Sequence, residues 1–419
     1  MSKINFEVHQ LTRIEGHGNI KVEISDGKVE TVLWEVTEAP RFFETMLRGR
    51  PWHDVHVLAS RICGICSVSH QIASLEATEN AFGLRPSEQT VLLRKLLYAG
   101  EIIESHALHI FLLASPDFSG VGSVIPIIDK EMVLGGLNLK KMGNEIMQIV
   151  GGRAVHPQAA IINGFGRLPR PEQLEYLHQR LKVSLPRLMA SLPLFRSFEL
   201  PDFSRQTEYL ALKNPSEYAF IQGEIVSTDT GSSPADKYLD VIREYAVPQS
   251  TAKFACHARE SLAVGALSRL NINYEQLRPL AKQAAVELDL KPPCHNPFMN
   301  NLAQVVETIH EVEEGIELVE RLLKTGLHRE QTAIKPKAGR GVGVVEAPRG
   351  LLIHDYTYDD SGCITGANCI IPTNLNHANI QYDLEAMVPR NLSRSQGEIR
   401  RLCEMLVRAY DPCVSCSTH

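Results

Sequence analysis

The sequence predicts a mainly α-helical fold with small β-sheets, an α+β protein built around a central bundle of long helices. Apolar residues recur at intervals of three and four from Thr90 onward, which indicates a long helix with a wide apolar face. Alternating apolar and polar residues flank the step Asp26-Gly27, which indicates a β-hairpin. We therefore expect a helical core with small sheets near both ends of the chain.

Further helical patterns supply the other members of the predicted bundle. They cover residues Asp129–Val150, Pro171–Ser197, Asn273–Leu288, Asn300–Lys324 and Ser393–Tyr410. The fourth of these helices also carries a set of acidic side chains, which we interpret as a solvated face: Glu311, Glu313, Glu314 and Glu317. Strand patterns return between Gly339 and Thr373 and predict a second small sheet.

The 419 residues would suffice for two or three domains, but no linker-like composition divides them. We expect a single large domain over residues 1–419. Its expected parts are an N-terminal β-hairpin at about 4–36, a helical core at about 88–330, a small sheet at about 340–375, and a C-terminal helix with a metal motif at 393–419.

Composition narrows the class of protein. A net charge of −6 without a run of basic residues argues against nucleic acid as a partner. We find no signal peptide at the N-terminus and no window of about 18 apolar residues, so we expect no membrane span. Nine cysteines, an odd number, fit a reducing compartment in which thiols stay free. The expected location is the cytoplasm.

Two Cys-x-x-Cys pairs are the strongest chemical signal. Cys63 and Cys66 lie near the start, with His70 four residues further on, and Cys413 and Cys416 lie at the end. Four thiolates are a soft ligand set that suits zinc, iron or nickel. Structural zinc sites place their pairs about 15–20 residues apart, whereas almost the whole chain separates these two. This spacing favours a reaction centre over a structural zinc site, although both interpretations remain open.

Three other residues are candidates on local grounds alone. Glu15, in Arg13-Ile14-Glu15-Gly16-His17, would relay protons if it were buried near a metal, or it is a surface-loop carboxylate. Glu44 is either a ligand for a hard cation or a charge on a helix surface. Arg349, between Pro348 and Gly350, is placed to reach a buried anion or to form an ordinary salt bridge.

Taken together, five motifs resemble the large, catalytic subunit of nickel-iron hydrogenases, in the family's order and over the whole chain. They are Arg13–His17, Arg61–Cys66 with His70, Glu346–Gly350, Pro372-Thr373 and Asp411–His419. The resemblance implies the fold of that subunit. It also implies a nickel-iron centre whose iron carries carbon monoxide and two cyanides, with Cys63 and Cys413 as terminal nickel ligands and Cys66 and Cys416 bridging nickel to iron.

The resemblance also assigns the residues around the metals. Arg349 would lie over the diatomic ligands, with Pro348 and Thr373 helping to hold the cyanides. Asp117 and Asp411 match the carboxylates that surround the open coordination position.

The same resemblance supplies a proton route and a second metal site. His70 matches a histidine that donates toward a bridging sulfur, and Glu15 matches the family's proton gate. Glu44, the backbone carbonyl of Cys369 and the ring of His419 match a magnesium site.

The activity implied is the reversible heterolytic splitting of H2. The proton would pass first to the Cys413 thiolate or to Arg349 acting as base, and then to Glu15. The chain lacks the additional clustered cysteines that iron-sulfur clusters need. The resemblance therefore implies a small subunit that carries those clusters and takes the electrons.

Finer sequence features point to one branch of the family. Residues 38–44 and Pro116-Asp117-Phe118 resemble the soluble cytoplasmic multisubunit type, either F420-non-reducing or NAD(P)-linked. Further flavin or iron-sulfur subunits, or a link to a heterodisulfide reductase, would then carry electrons to the acceptor. The end at His419 resembles the form left after maturation removes a C-terminal tail.

Two alternatives belong to other functional classes. The quinone-site subunit of respiratory complex I resembles this family and acts as a non-catalytic scaffold, but such chains have lost the cysteine pairs that are present here. A structural zinc protein would contain zinc without nickel or iron, so metal analysis would separate it from a hydrogenase.

Overall fold

The N-terminal strands form a three-stranded antiparallel sheet. In the computed structural model, which describes residues 4–119, 130–330 and 333–419, these strands are β1 (Ile4–Val8), β2 (Gly18–Ser25) and β3 (Lys28–Val36), in the order β1-β2-β3. Asp26 and Gly27 make the turn between β2 and β3 with φ of 51° and 71°, the conformation that an Asp-Gly step favours.

Four helices and a turn carry the chain from this sheet into the core. They are α1 (Phe43–Leu47), α2 (Trp52–Ala59), α3 (Ser67–Phe82) and α4 (Glu88–Leu108). A π-helical turn at His109–Ala114 continues α4 into α5 (Ser115–Ser119). Cys63 and Cys66 lie in the short connection that precedes α3.

The middle of the chain alternates helices with short strands. It contains α6 (Lys130–Gly151), β4 (Ala160–Ile161), β5 (Gly164–Phe165), α7 (Pro171–Ala190) and α8 (Leu192–Arg196). Asp129, where the sequence predicts the start of α6, lies outside the described residues.

Six further strands follow, none longer than six residues. They are β6 (Glu208–Lys213), β7 (Glu224–Ser227), β8 (Gly231–Ser233), β9 (Arg243–Tyr245), β10 (Phe254–Cys256) and β11 (Leu262–Ala263). They form one sheet in the order β11-β6-β7-β8 and a β9-β10 pair. The sequence analysis missed these strands because most are too short to show an alternating pattern.

Three helices complete the second half of the bundle: α9 (Ala266–Asn273), α10 (Pro279–Glu287) and α11 (Asn300–Thr325). The predicted helix Asn273–Leu288 is wrong at its start, because Asn273 ends α9 and α10 begins at Pro279. Proline lacks an N–H and disfavours the helical conformation of the preceding residue, so a helix begins there more readily than it passes through.

The central bundle consists of α4, α6, α7 and α11, with α4 against α6 and α11, and α7 against α6 and α11. This arrangement confirms the predicted helical α+β fold. One expectation about apolar windows needs correction, because Glu88–Phe118 is long and apolar enough to cross a membrane by length and composition. Since 83% of its apolar window is buried inside the protein, this stretch is the core of the bundle.

The acidic face of α11 is solvated only in part, which corrects the interpretation of that face. Glu311 is 4% exposed. Glu313 accepts hydrogen bonds from the N–H groups of the first turn of α10, and Glu314 and Glu317 form ion pairs with Arg278. Most of these carboxylates therefore serve contacts between α10 and α11.

The second small sheet is antiparallel, with β12 (Gly339–Ala347), β13 (Gly350–Tyr358) and β14 (Ile364–Ile370) in that order. It packs through β12 directly on α3. A Cβ added to Gly343 would lie 2.0 Å from the carbonyl oxygen of Ala73, so only glycine allows this approach.

The C-terminal helices join the two ends of the chain. They are α12 (Pro372–Met387), α13 (Gln396–Ala409) and α14 (Val414–Ser417). The buried helix α12 packs against β3 and β13, and α13 packs against β1. The C-terminal cysteine motif is thereby held beside the N-terminal segments.

Candidate metal centre

The two cysteine pairs meet at one buried point. Their four Sγ atoms all lie within 4.8 Å of one another. The Sγ atoms of Cys63 and Cys413 are 3.6 Å apart, and those of Cys66 and Cys416 are 3.7 Å apart. All four thiols are free and at most 5% exposed. A set of four soft ligands facing one small volume is the arrangement that a thiolate-bound metal centre needs.

The thiols also favour a cation on electrostatic grounds. Hydrogen bonds from Cys413 lower the pKa of Cys63, while the contact with Cys416 raises the pKa of Cys413. Four thiolates in one buried cluster repel each other, so without a cation most of them keep their protons. A bound cation removes that repulsion and allows the thiols to ionise together. The residues present therefore fit a metal centre.

The N-terminal loop closes over the C-terminal cysteine motif. The Sγ of Cys413 lies 3.1 Å from Oε2 of Glu15, and the backbone N–H of Ser415 donates to the same oxygen at 3.0 Å. The N–H of Val414 donates to the carbonyl of Glu15 at 2.9 Å. Gly16 has a φ of 82°, and a Cβ there would lie 2.7 Å from the nitrogen of Ser415. The loop thus places a half-buried carboxylate against one thiol.

Arg349 lies buried on another side of the centre. Its Nε and Nη2 donate to the carbonyl and the carboxylate of Asp411, at 3.0 and 2.9 Å. Its Nη1 donates to the hydroxyl of Ser105 on α4 at 2.9 Å. Burial opposes the charged form, but Asp411 and then the thiolates raise the pKa of Arg349 above its ordinary value. The guanidinium is therefore a fixed cation beside the cysteines.

Asp117 is not one of the side chains that hold this guanidinium. Its carboxylate pairs with Arg408 at 2.7 and 2.8 Å and with Arg13 at 2.6 Å. These cations take up both oxygens, and the second side chain on Arg349 is Ser105. Asp411 thus contacts the guanidinium beside the cysteines, and the described ion pairs of Asp117 are with Arg13 and Arg408. Nothing in the helical pattern around Ser105 distinguishes it from a packing serine.

The turn that projects Arg349 is held by a buried arginine that the sequence analysis missed. Arg269 on α9 donates to the carbonyls of Ala347 and Pro348 at 2.9 and 3.1 Å. It also pairs with two buried carboxylates, Glu307 at 2.7 Å and Glu346 at 3.0 Å. Pro348 therefore contributes its backbone carbonyl to the support of the turn.

Glu307 and Glu346 share the guanidinium of Arg269, so we expect the free energy of unfolding to depend on pH. Burial raises the pKa of Glu346 from 4.5 to about 7. A raised carboxyl pKa means that its contribution to stability is present below pH 4.5 and is lost as the pH rises to about 7. We expect Glu346→Gln to remove this decline, which amounts to at most about 3 kcal/mol, as measured by urea unfolding from pH 5 to 8.

The control for this prediction is Glu224→Gln, an exposed glutamate on β7. It should leave the slope of stability against pH unchanged. An unchanged slope in the Glu346 variant as well would show that Glu346 does not titrate in this range.

Thr373 and His70 contact the centre from two helices. The hydroxyl of Thr373, in the first turn of α12, accepts a hydrogen bond from the N–H of Cys413 at 3.1 Å. His70 on α3 is 1% exposed, and its Nδ1 lies 3.0 Å from Nε2 of His354 on β13. Its own Nε2 is buried and has no hydrogen-bond partner within the described parts of the chain. His354 gave no signal in the sequence, because it lies in an ordinary strand pattern.

Glu44, Cys369 and His419 also come together, beside the C-terminus. Oε1 of Glu44 accepts the N–H of Cys369 at 2.8 Å and lies 3.6 Å from Nε2 of His419. Burial alone would raise the pKa of Glu44, but the contacts with His419 and Cys369 lower it overall. The backbone N–H of Arg41 donates a hydrogen bond to the carbonyl of Thr418 at 2.7 Å and so holds the C-terminal residues in place.

Comparison with known proteins identifies the family to which this chain is related. The family model described as nickel-dependent hydrogenase matches residues 41–133 and 236–419, and a second model, described as HoxL-like, matches residues 5–39. The chain is 34% identical to the alpha chain of sulfhydrogenase 1 from Pyrococcus furiosus, covering 98% of this chain and 97% of that one. It is 30% identical to a chain of the vhc F420-non-reducing hydrogenase from Methanococcus voltae, covering 100% and 95%.

Solved structures agree on the fold. The chain superposes on an NAD+-reducing [NiFe]-hydrogenase in the H2-reduced state with a TM-score of 0.87 at 26% identity, covering 99% of both chains. It superposes on the Ni-Fe-Se hydrogenase of Desulfomicrobium baculatum with a TM-score of 0.81 at 22% identity, covering 99% of this chain and 100% of that one, which concerns the fold alone.

The chain therefore belongs to the nickel-dependent hydrogenase family. It is the catalytic subunit of a nickel-iron hydrogenase, an oxidoreductase that acts on H2. The predicted family and activity are confirmed. The two alternatives, a non-catalytic scaffold and a structural zinc protein, are not favoured.

Proposed function

We propose that this subunit splits H2 heterolytically and reversibly at a nickel-iron centre held by its four clustered cysteines. The observation that carries the proposal is the convergence of four buried Sγ atoms from the two ends of the chain within 4.8 Å. Cys63 and Cys413 would be terminal nickel ligands, and Cys66 and Cys416 would bridge nickel to an iron that carries two cyanides and one carbon monoxide. When bound, the metals polarise H2 so that a proton can leave.

The proton acceptor that the surroundings favour is the thiolate of Cys413. Arg349 is a fixed cation whose pKa is raised by Asp411, so it holds its proton and is poorly suited as a base. Its planar group instead suits the binding of cyanide nitrogens, which Pro348 and Thr373 would help to hold. Asp411 and Ser105 fix its orientation. Asp117 and Asp411 would surround the open coordination position. The carboxylate of Asp117 also pairs with Arg13 and Arg408, close to the loop that carries Glu15.

Glu15 would then carry the proton outward. Its carboxylate lies 3.1 Å from the Sγ of Cys413, and the residue is only half-buried, so it links the buried thiol to the surface. We expect Glu15→Gln to slow the exchange of H2 with D2O by at least about 100-fold, because an amide cannot relay the proton. Nickel content should stay at the wild-type level.

The matched control is Glu38→Gln, which removes a nearby carboxylate that pairs with His17 and touches no cysteine. Its exchange rate should equal that of the wild type. Wild-type exchange in the Glu15 variant would remove Glu15 from the proton route.

A magnesium ion would bind at Glu44, the carbonyl of Cys369 and the ring of His419. The N–H and C=O of a strand residue point to the same edge, so the Cys369 carbonyl faces the edge where its N–H meets Glu44. Nδ1 of His419 is buried and has no partner within the described parts of the chain. A half-buried carboxylate and an imidazole with an unsatisfied nitrogen fit a cation that holds the C-terminal residues in place.

Electrons would leave through an iron-sulfur small subunit. The sequence has no cysteine clusters beyond the two pairs, and relatives are described as subunits of multisubunit hydrogenases. The complex would be soluble and cytoplasmic, with the long apolar stretch Glu88–Phe118 buried inside the protein. Further flavin or iron-sulfur subunits, or a heterodisulfide reductase-type partner, would pass electrons to NAD(P) or another soluble acceptor.

The direct test is H2-driven reduction of an artificial dye by the purified complex. The proposal predicts dye reduction that requires H2 and disappears when the large subunit is omitted. A correctly assembled complex containing nickel and iron but unable to take up or evolve H2 would overturn it.

A further inference from the structure

The helix α3 begins directly after the first cysteine pair, and Cys66 occupies its N-cap position. The first turn of a helix has backbone N–H groups without a partner inside the helix, and the side chain at the N-cap position usually accepts one of them. Cys66 makes no such hydrogen bond. Its Sγ instead lies 3.7 Å from that of Cys416, inside the four-thiol cluster. The N–H groups of this turn therefore need another acceptor.

Glu101 on α4 supplies that acceptor. One oxygen of its carboxyl group accepts the N–H of Val68 at 2.6 Å, and the other oxygen accepts the N–H of Ser69 at 2.9 Å. The hydroxyl of Ser69 also contacts the second oxygen. Glu101 is fully buried, and it lies in the middle of a helix of the central bundle. The start of α3 is thus capped by a side chain from another helix.

This cap does not depend on the charge of Glu101. Burial raises the pKa of Glu101 to about 8, although hydrogen bonds from Ser69 and Val68 act in the opposite direction. A protonated carboxyl group keeps lone pairs on both oxygens, and its proton can face the hydroxyl of Ser69. Both backbone N–H groups therefore keep an acceptor above and below this pKa.

The cap also leaves the sulfur of Cys66 free of its own helix. A thiolate at the start of a helix attracts the N–H groups of the first turn, which is one reason why cysteines at such positions ionise readily. Glu101 takes up two of these N–H groups. The loop between the two cysteines gives little other support, because a Cβ added to Gly64 would have no atom within 4 Å. The first turn of α3 therefore sets the direction of the Cys66 side chain.

We propose that Glu101 is a positioning residue for the metal centre, which caps α3 in place of Cys66 so that the Cys66 sulfur turns toward the metals. This inference rests on the proposed function, in which Cys66 bridges nickel and iron. Without the cap, an N–H group of the first turn would be free to donate to this sulfur. Such a hydrogen bond withdraws electron density from the metals, so it is visible in the vibrations of the iron-bound diatomic ligands.

The test is Glu101→Gln in the complete complex, observed by infrared spectroscopy and by turnover. Glutamine keeps the length of the side chain but has only one oxygen, so one of the two backbone N–H groups loses its acceptor. We expect the cyanide and carbon monoxide bands to move to higher wavenumber, because less electron density on iron weakens its donation into these ligands. Turnover should fall about 10–100-fold, the usual cost of losing an outer partner of a metal ligand.

The matched control is Glu313→Gln, because Glu313 on α11 caps a helix in the same way. Its two oxygens accept the N–H groups of Leu280 and Ala281 in the first turn of α10, at 3.1 and 2.9 Å. The helix α10 carries none of the proposed metal ligands. This variant should lose stability as Glu101→Gln does, but it should keep the wild-type bands and turnover. The comparison separates a positioning role from the stabilising effect of any cap.

Glu101→Asp is a milder second variant. Aspartate keeps both oxygens but is one methylene group shorter, so it lengthens both hydrogen bonds and should move the bands in the same direction by a smaller amount. Wild-type bands in Glu101→Gln would overturn the inference. If that variant does not assemble, wild-type bands in Glu101→Asp would overturn it. A wild-type complex without these bands would instead count against the proposed function.

Discussion

Cys413→Ser should abolish H2 turnover and the retention of nickel. A serine hydroxyl is a hard, protonated donor, whereas nickel in this site needs a soft thiolate. Cys413 is the thiol with the most contacts, since its Sγ lies 3.6 Å from Cys63, 3.0 Å from Cys416 and 3.1 Å from Glu15. The substitution therefore removes a metal ligand and the proton acceptor together. Metal analysis and H2-dependent dye reduction measure the two losses separately.

Cys294→Ser is the matched control for this change. Cys294 is a half-buried cysteine that lies outside the four-thiol cluster. Its serine variant should retain nickel and turnover. If the Cys413 variant also kept the wild-type nickel content, Cys413 would not be a ligand.

Arg349→Lys should lower turnover by about 100- to 1,000-fold, the usual effect of removing one preorganised donor from an active site. The guanidinium makes three separate hydrogen bonds, to the carbonyl and carboxylate of Asp411 and to Ser105. A lysine ammonium keeps the charge but cannot reproduce this planar fork. Nickel and iron should remain bound, because Arg349 is not a metal ligand. Turnover measured on metal-loaded protein tests this expectation.

The control for Arg349→Lys is Arg340→Lys on β12. Arg340 makes a similar two-pronged pair with Asp355, at 3.0 and 2.8 Å, but at the protein surface. Its replacement should leave turnover unchanged, since exposed pairs contribute little. Wild-type turnover in the Arg349 variant would show that the fork has no role in the reaction.

The sequence predicts those parts of the fold that have a local signal, either apolar residues at a regular interval or a characteristic turn. The helix α4 shows its apolar stripe, and the hairpin shows its Asp-Gly turn. The helices α3 and α12 escaped prediction because they are buried on nearly every face, so no polar side alternates with an apolar one. The break before Pro279 was missed because the pattern of apolar residues continues across it.

The same distinction applies to the site. The cysteine pairs, Glu15 and Arg349 lie in motifs that can be recognised in the sequence. Ser105, Arg269 and His354 lie in ordinary helices or strands and acquire their contacts only when distant segments meet. The ion pairs of Asp117 with Arg13 and Arg408 likewise form only in the fold, because the three residues are far apart in the sequence.

We propose above that thiols from the two ends of the chain hold nickel and iron together. The fold brings these two ends together. The helices α12 and α13 hold the C-terminal motif against the N-terminal sheet. The N–H of Val414 also donates a hydrogen bond to the carbonyl of Glu15, although almost the whole sequence separates the two residues. An enclosed site of this kind also keeps water from the reacting groups.

The most direct test is an infrared spectrum of the purified complex combined with its metal content. Metal-bound cyanide and carbon monoxide absorb where the polypeptide does not, so the spectrum observes the iron and its ligands without interference. We expect these bands, with nickel present and iron in excess of nickel, because the iron-sulfur clusters of the partner subunit add to the iron of the active site. A spectrum without the bands, together with zinc in place of nickel, would contradict a nickel-iron centre at the four cysteines.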